Sequence, residues 1–167
     1  MHRNHPRIWI TWESHRRSRE LAAALGCELH TLTSDLPYGL RVLALSWRTA
    51  RLTLRRRPGV LFVQNPSLIL ATLACCLRPV LRCRLVVDRH SNFILRTLKP
   101  PRPLAWVFAA LSRFTNRHAD LTIVTNEVLL DLVRAWRGRG FVLQDKLPAM
   151  DQVEPWPARG RFNFTFV

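Results

Sequence analysis

Short apolar runs alternate along this chain with longer stretches whose apolar residues recur every three or four positions. "RIWITW" (7–12), "CELHTL" (27–32), "VLFVQ" (60–64), "RLVVD" (84–88), "DLTIVT" (120–125) and "FVLQD" (141–145) read as strands. Between them, helices are predicted over "SHRRSRELAAALG", stopped by Gly26, and over 38–57, ended by Pro58-Gly59. Three more follow: one from Pro66, one over the apolar segment 104–116, and one over 126–137. The unbroken apolar run at 60–63 suits a strand covered on both faces. Strand, helix and strand in strict succession predict an α/β fold: a Rossmann-like, doubly wound parallel sheet with helices on both faces. On the long helix 38–57, Arg41, Arg48, Arg51 and Arg55 share one face, expected to be solvated. Leu43, Trp47, Ala50 and Leu54 lie opposite and are expected to face the sheet.

The pattern changes near the end. Residues 146–161 carry three prolines and read as a linker, and "FNFTFV" (162–167) begins another strand-like run. The expected organisation is a domain over 1–150, then a linker and the first strand of a second domain over 151–167.

Composition adds an anionic partner to this picture. The 167 residues hold 26 Lys and Arg against 11 acids, a formal net charge of +15, nearly all of it arginine. Nucleic acid, a phospholipid surface and phosphorylated substrates all fit that balance. Arg96, Lys99, Arg102, Arg113 and Arg117 bracket "LAWVFAAL", which suits either an anionic bilayer surface or a core helix. The longest apolar runs are too short for a membrane span, and the N-terminus has no signal-peptide pattern. The four cysteines form no CxxC pair and no zinc-like spacing, and are expected to be reduced in a cytoplasmic protein.

In open parallel sheets, ligands bind beyond the carboxyl ends of the strands. Polar side chains collect there. Glu13, Ser14 and His15 follow the first strand, Gln64 and Asn65 close the third, and Asp88, His90, Ser91 and Asn92 close the fourth. Thr125, Asn126 and Glu127 follow the fifth, and Asp145 ends the sixth. An imidazole two residues past a carboxylate can serve as general base on a hydroxyl, with either group as the base or the carboxylate as its orienting partner. A capped loop with His90 in water is the competing reading. The first loop has no G-x-G-x-x-G, and the chain has neither a P-loop nor a G-x-S-x-G elbow, which argues against a dinucleotide site, that NTPase class and an α/β-hydrolase.

The stretch "VLFVQNPSLILATLACCLRPVLRCRLVVDRHSNF" resembles the N-terminal domain of GT-B glycosyltransferases of group 1, family 4-like. Its Val63-Gln64-Asn65-Pro66-Ser67 and Asp88-Arg89-His90-Ser91-Asn92 elements are most similar to those of the mannosyltransferases that elongate lipid-linked chitobiose. "HRRSRELAAALG", "ADLTIVTNEVLLDLV" and "FVLQDKLP" fit the same family, so the likeness covers residues 7 to 150. It implies an acceptor-binding half of a hexosyltransferase. A nucleotide-sugar donor would be held by a second domain, and the sugar would go to a hydroxyl of a lipid-linked or glycan acceptor in cell-envelope glycan biosynthesis. By the same resemblance, Asp88 and His90 lie at the acceptor hydroxyl and Glu13 and His15 near the transferred sugar or phosphates. Gln64, Asn65, Asn92, Asn126 and Glu127 complete the substrate-binding wall. The chemistry is expected to be metal-independent and without a cofactor. The protein is expected on the cytoplasmic membrane face, with no nucleic-acid partner, and residues 1–167 alone are expected to be inactive. A basic nucleic-acid-binding module, or a regulatory Rossmann-like domain without chemistry, are the alternatives.

Overall fold

The computed structural model describes residues 5–64, 67–90 and 102–145. Eleven elements follow one another: β1 (Arg7–Thr11), α1 (Arg16–Ala24), β2 (Glu28–Thr31), α2 (Tyr38–Arg56), β3 (Val60–Gln64), α3 (Leu68–Leu81), β4 (Arg84–Arg89), α4 (Arg102–His118), β5 (Leu121–Val124), α5 (Glu127–Ala135) and β6 (Gly140–Val142). The six strands form one sheet in the order β2-β1-β3-β4-β5-β6, every pairing parallel. This is the Rossmann-like α/β fold that the alternation predicts. The winding direction reverses between β1 and β3, the place where such sheets open a crevice at their carboxyl edge.

Alternate residues of each strand point to opposite sides, and both sides are apolar. Ile8, Ile10, Leu61, Val63, Leu85 and Val87 pack with Leu52 of α2, Leu70 and Ala74 of α3, and Phe114 of α4. Their neighbours Trp9, Phe62, Val86 and Ile123 form the other face with Leu21 and Ala22 of α1. Trp9 stacks on Phe62, ring centroids 5.2 Å apart. Burial on both faces is why the central strands read as unbroken apolar runs.

The helix ends obey local rules. Gly26 takes the left-handed φ of +61° just past α1, a conformation that carries no Cβ penalty in glycine. Ser67 caps α3 through the Leu70 amide, and Asn126 caps α5 through the Leu129 amide at 2.9 Å. At the amino edge of the sheet, Asp120 binds Arg78 at 2.6 Å and the Leu85 amide at 2.8 Å. The strands end earlier than predicted at β1, β2, β5 and β6, where the chain leaves the sheet for the polar loops.

The orientation of α2 corrects the sequence expectation. Leu45, Thr49 and Thr53 are its buried residues, whereas Leu43, Trp47 and Leu54 are exposed. The helix has three faces rather than two. The arginines lie on one face and Leu43, Trp47 and Leu54 on a second, with Ala50 half-buried at its border, while a third row carries the packing. Two hydroxyls decide this: Trp12 Nε1 donates to Thr49 Oγ1 at 3.0 Å, and Thr53 Oγ1 donates back to the Thr49 carbonyl at 2.9 Å. Threonine can satisfy its hydroxyl inside its own helix and still present a methyl to the core.

All four cysteines are free thiols, as expected. Burial pushes the Cys75 thiol up to about 12 and raises Cys83 and Cys27 as well, while Cys76 is exposed. Thiolate is the reactive form. Titration of the folded protein with a chromogenic disulfide at mildly alkaline pH should therefore show one fast thiol, and Cys76→Ser should remove that phase alone.

Candidate active-site edge

The carboxyl ends of the three central strands carry a buried polar row. Thr11, Gln64 and Asp88 each stand two residues above Trp9, Phe62 and Val86, on the α1 face, and none is more than 1% exposed. Gln64 and Asp88 are register partners. The Thr11 hydroxyl meets the Glu13 carbonyl at 2.6 Å and also touches the Gln64 amide. Gln64 Nε2 is buried with no hydrogen-bond partner among the described residues.

Asp88 is fully buried and held by an arginine from the facing helix. Arg17 Nε lies 3.1 and 3.2 Å from the two Asp88 oxygens, and a terminal guanidinium nitrogen sits 3.1 Å from Oδ1. The same guanidinium donates to the Leu143 carbonyl at 3.0 Å and pairs with Asp145 at 2.5 Å. One arginine thus joins α1 to the ends of β4 and β6. Burial alone would lower the Arg17 pKa, but the hydrogen bonds and charge of Asp88, then of Asp145, outweigh it and leave the net shift upward. A fork of donors fits a carboxylate in a way that a lysine ammonium does not.

His90 stands over this pair. Its Nδ1 is buried and 3.7 Å from Asp88 Oδ2, just beyond hydrogen-bond reach, while the side chain as a whole remains partly exposed. The edge of the His15 ring packs against it, centroids 5.5 Å apart, and His15 Nε2 contacts Glu13 Oε2 at 3.0 Å. A continuous line therefore runs Glu13, His15, His90, Asp88, Arg17, Asp145. Because Asp88 has no exposed surface and its oxygens face Arg17, a group arriving from solvent meets His90 before it could meet Asp88.

The structure brings Glu13, His15, Gln64, Asp88 and His90 to one edge. Asn126 and Glu127 follow β5 at the same carboxyl edge, but Asn126 uses its side-chain oxygen to cap α5, Glu127 is exposed in the first turn, and no hydrogen bond or ion pair among the described residues joins either to the cluster. Asn65 and Asn92 lie outside the described residues, as do the segment 146–167 and the Arg96 and Lys99 positions. Sequence reading missed Arg17. It sits in the run His15-Arg16-Arg17-Ser18-Arg19, where one arginine looks like the next. The usable signal was its place beside Ser18 and Ala22 on the buried side of α1.

Two further features border the edge. Arg89, the residue after Asp88, points to the opposite face, donating to Ser112 Oγ at 3.3 Å and lying over the Trp136 ring; burial pulls its pKa down to about 10. A cavity of about 480 Å³ opens beside the first loop, lined by Trp12, Glu13, Ser14, Tyr38, Arg41 and Ser67 among others. Glu13 belongs to both the cavity and the histidine line. Among the described residues no group of three or more His, Cys, Asp or Glu could hold a metal ion, and no helix is long and apolar enough to cross a membrane.

Removing Arg17 strands a fully buried carboxylate, which costs about 3 kcal/mol or more in comparable sites. Arg17→Ala should lower the unfolding free energy by that order in a urea titration, whereas Arg17→Ala combined with Asp88→Asn should recover part of the loss.

Residues 3–142 match the glycosyl transferase 4-like domain family, and no curated protein matches the chain. The match carries the family and stops short of the narrower likeness to the chitobiose mannosyltransferases. It spans every strand of the sheet and all six residues of the polar line except Asp145. The chain belongs to the glycosyl transferase 4-like family, and its parallel sheet is the Rossmann-like α/β unit expected of the N-terminal half of a GT-B glycosyltransferase.

Proposed function

We propose that this chain forms the acceptor side of a glycosyl transfer from a nucleotide-sugar donor to a hydroxyl of a glycan or lipid-linked acceptor. One observation carries the reading. His90 is the partly exposed imidazole that is backed by the buried Asp88–Arg17 pair at the carboxyl edge of the sheet. The acceptor O–H would attack the anomeric carbon of the donor sugar. Its proton would pass to the free imidazole nitrogen of His90 as the bond to the nucleotide diphosphate breaks. Asp88, 3.7 Å behind Nδ1, serves as a positioning residue, since catalytic hydrogen bonds often tighten only when substrate is bound. Arg17 fixes Asp88 and keeps the local charge balanced.

The adjoining cavity supports a carbohydrate acceptor. Trp12 and Tyr38 offer aromatic surface for the C–H faces of a sugar, while Glu13, Ser14, Ser67 and Arg41 supply directional hydrogen bonds. The donor and the charge on its leaving diphosphate would be met by a separate donor-binding half, so this chain alone should bind acceptor and not turn over. The reading calls for no cofactor beyond the nucleotide sugar.

Calorimetric titration of the chain with polyprenyl-linked and free oligosaccharides, beside nucleotide sugars, tests the assignment. Binding of an acceptor and weak or no binding of the donors is expected. Donor binding without acceptor binding, or sugar transfer by residues 1–167 alone, would refute it. In an enzyme that joins this domain to its donor-binding half, His90→Ala should lower kcat by about 10²–10⁴ with little change in acceptor KM. Asp88→Asn should shift the pH profile of kcat rather than abolish activity.

A further inference from the structure

The outer face of α2 presents apolar side chains to solvent along its length. Leu40, Leu43, Trp47 and Leu54 recur at intervals of three, four and seven residues, which align on one side of a helix. They are 58%, 68%, 70% and 43% exposed. Leu36, just before the helix, and Tyr38 in its first turn are exposed as well. The buried row of Leu45, Thr49 and Thr53 lies on the opposite side, so the stripe points straight away from the sheet. Scattered exposed leucines are ordinary on a protein surface, but a contiguous stripe with a tryptophan at its centre is not.

Arginines flank this stripe. Arg41, Arg48, Arg51 and Arg55 run along one side of it and are all exposed, and Arg56 and Arg57 follow at the end. Arg48 is anchored to the Thr33 carbonyl at 2.8 Å, while Arg56 turns to the sheet side of the helix and pairs with Glu28. From Tyr38 to Arg57 there is no acidic residue.

We infer that α2 is an interfacial helix that lays its Leu40–Leu43–Trp47–Leu54 stripe into the surface of an anionic phospholipid bilayer. An apolar stripe with cations at its border is the pattern that suits the boundary between acyl chains and headgroups: the side chains enter, and the guanidinium groups meet phosphates. The chain's net charge of +15 adds long-range attraction to the same surface. A second copy of the chain fits less well, because an antiparallel pairing of this stripe on itself brings two rows of arginines together. A nucleic acid fits less well too, since phosphodiester backbones gain nothing from the exposed leucines. This surface differs from the 96–118 segment that sequence alone suggested. On α4, Trp106 and Val107 are the exposed large apolar side chains among the described residues, against four along the α2 stripe. The cavity beside Glu13 is lined from α2 by Tyr38, Arg41 and the buried-row residue Leu45, so it opens on the sheet side of the helix and not on the stripe. The docking itself does not depend on the glycosyl-transfer reading.

Vesicle co-sedimentation tests the inference. The chain should bind vesicles of phosphatidylcholine mixed with phosphatidylglycerol, bind pure phosphatidylcholine more weakly, and lose affinity as salt rises. Leu43→Glu/Trp47→Glu should weaken binding by about tenfold or more, with an unchanged circular dichroism melt because both side chains are exposed. Arg51→Gln/Arg55→Gln should reduce the preference for phosphatidylglycerol, and Trp106→Glu should weaken binding less than the α2 double variant. Wild-type chain that binds no vesicle, or a Leu43→Glu/Trp47→Glu variant that binds like wild type, would overturn the inference. So would a Trp106→Glu effect larger than that of the α2 pair. A solution dimer, or tight DNA binding, that the α2 pair abolishes would also overturn it in favour of those partners. None of these outcomes bears on the acceptor titration, which uses no vesicle.

Discussion

A buried ion pair holds the functional edge of this protein together. Asp88 rises from the middle of the sheet with no access to water, and Arg17 reaches it from the helix that covers that face. A carboxylate in such a place is tolerable only with a charged partner of matching geometry. Arg17 supplies that match and then extends it, binding the Leu143 carbonyl and Asp145 beyond β6. The α1 helix, the end of β4 and the end of β6 are thereby fixed relative to one another. His90 takes its position from the same constraint, because it follows Asp88 by two residues and packs against His15 at the start of α1.

The division of polar and apolar rows explains why chemistry collects at one edge. On the α1 face, Trp9, Phe62 and Val86 form a dry layer, and one step further along the same strands Thr11, Gln64 and Asp88 form a polar one. Polar groups below that boundary would lack partners. Above it they find the loops, the helix starts and each other. The family match to a glycosyl transferase 4-like domain fits a sheet built in this way, since its strand order reverses between β1 and β3, the place where such sheets bind ligands.

The α2 helix shows how two demands can share one element. Its inner row is partly hydroxylic, and threonines settle their hydrogen bonds within the helix or with Trp12. Its outer row is more apolar than its inner one. For folding alone that arrangement is wasteful, because the leucines and tryptophan gain no burial. The inferred membrane docking would account for it, and the neighbouring arginines would set the sign of the charge that this face meets.

Much of the architecture was legible in the sequence. Six short apolar runs separated by helical ones admit little besides a parallel α/β sheet, and Gly26, Ser67 and Asn126 mark helix ends by local chemistry that needs no tertiary context. The gathering of Glu13, His15, Gln64, Asp88 and His90 at one edge followed from strand direction alone. What the sequence could not decide was partnership. Periodicity places Leu43 and Trp47 on one side of α2, but Val42, Leu45 and Thr49 make an equally regular row, and only packing against Trp12 and the sheet selects between them. Likewise Arg17 is one arginine in a basic run until the fold carries Asp88, 71 residues away, to its side. Local pattern fixes which residues share a face; the contact of distant elements fixes which face is buried and which charges meet.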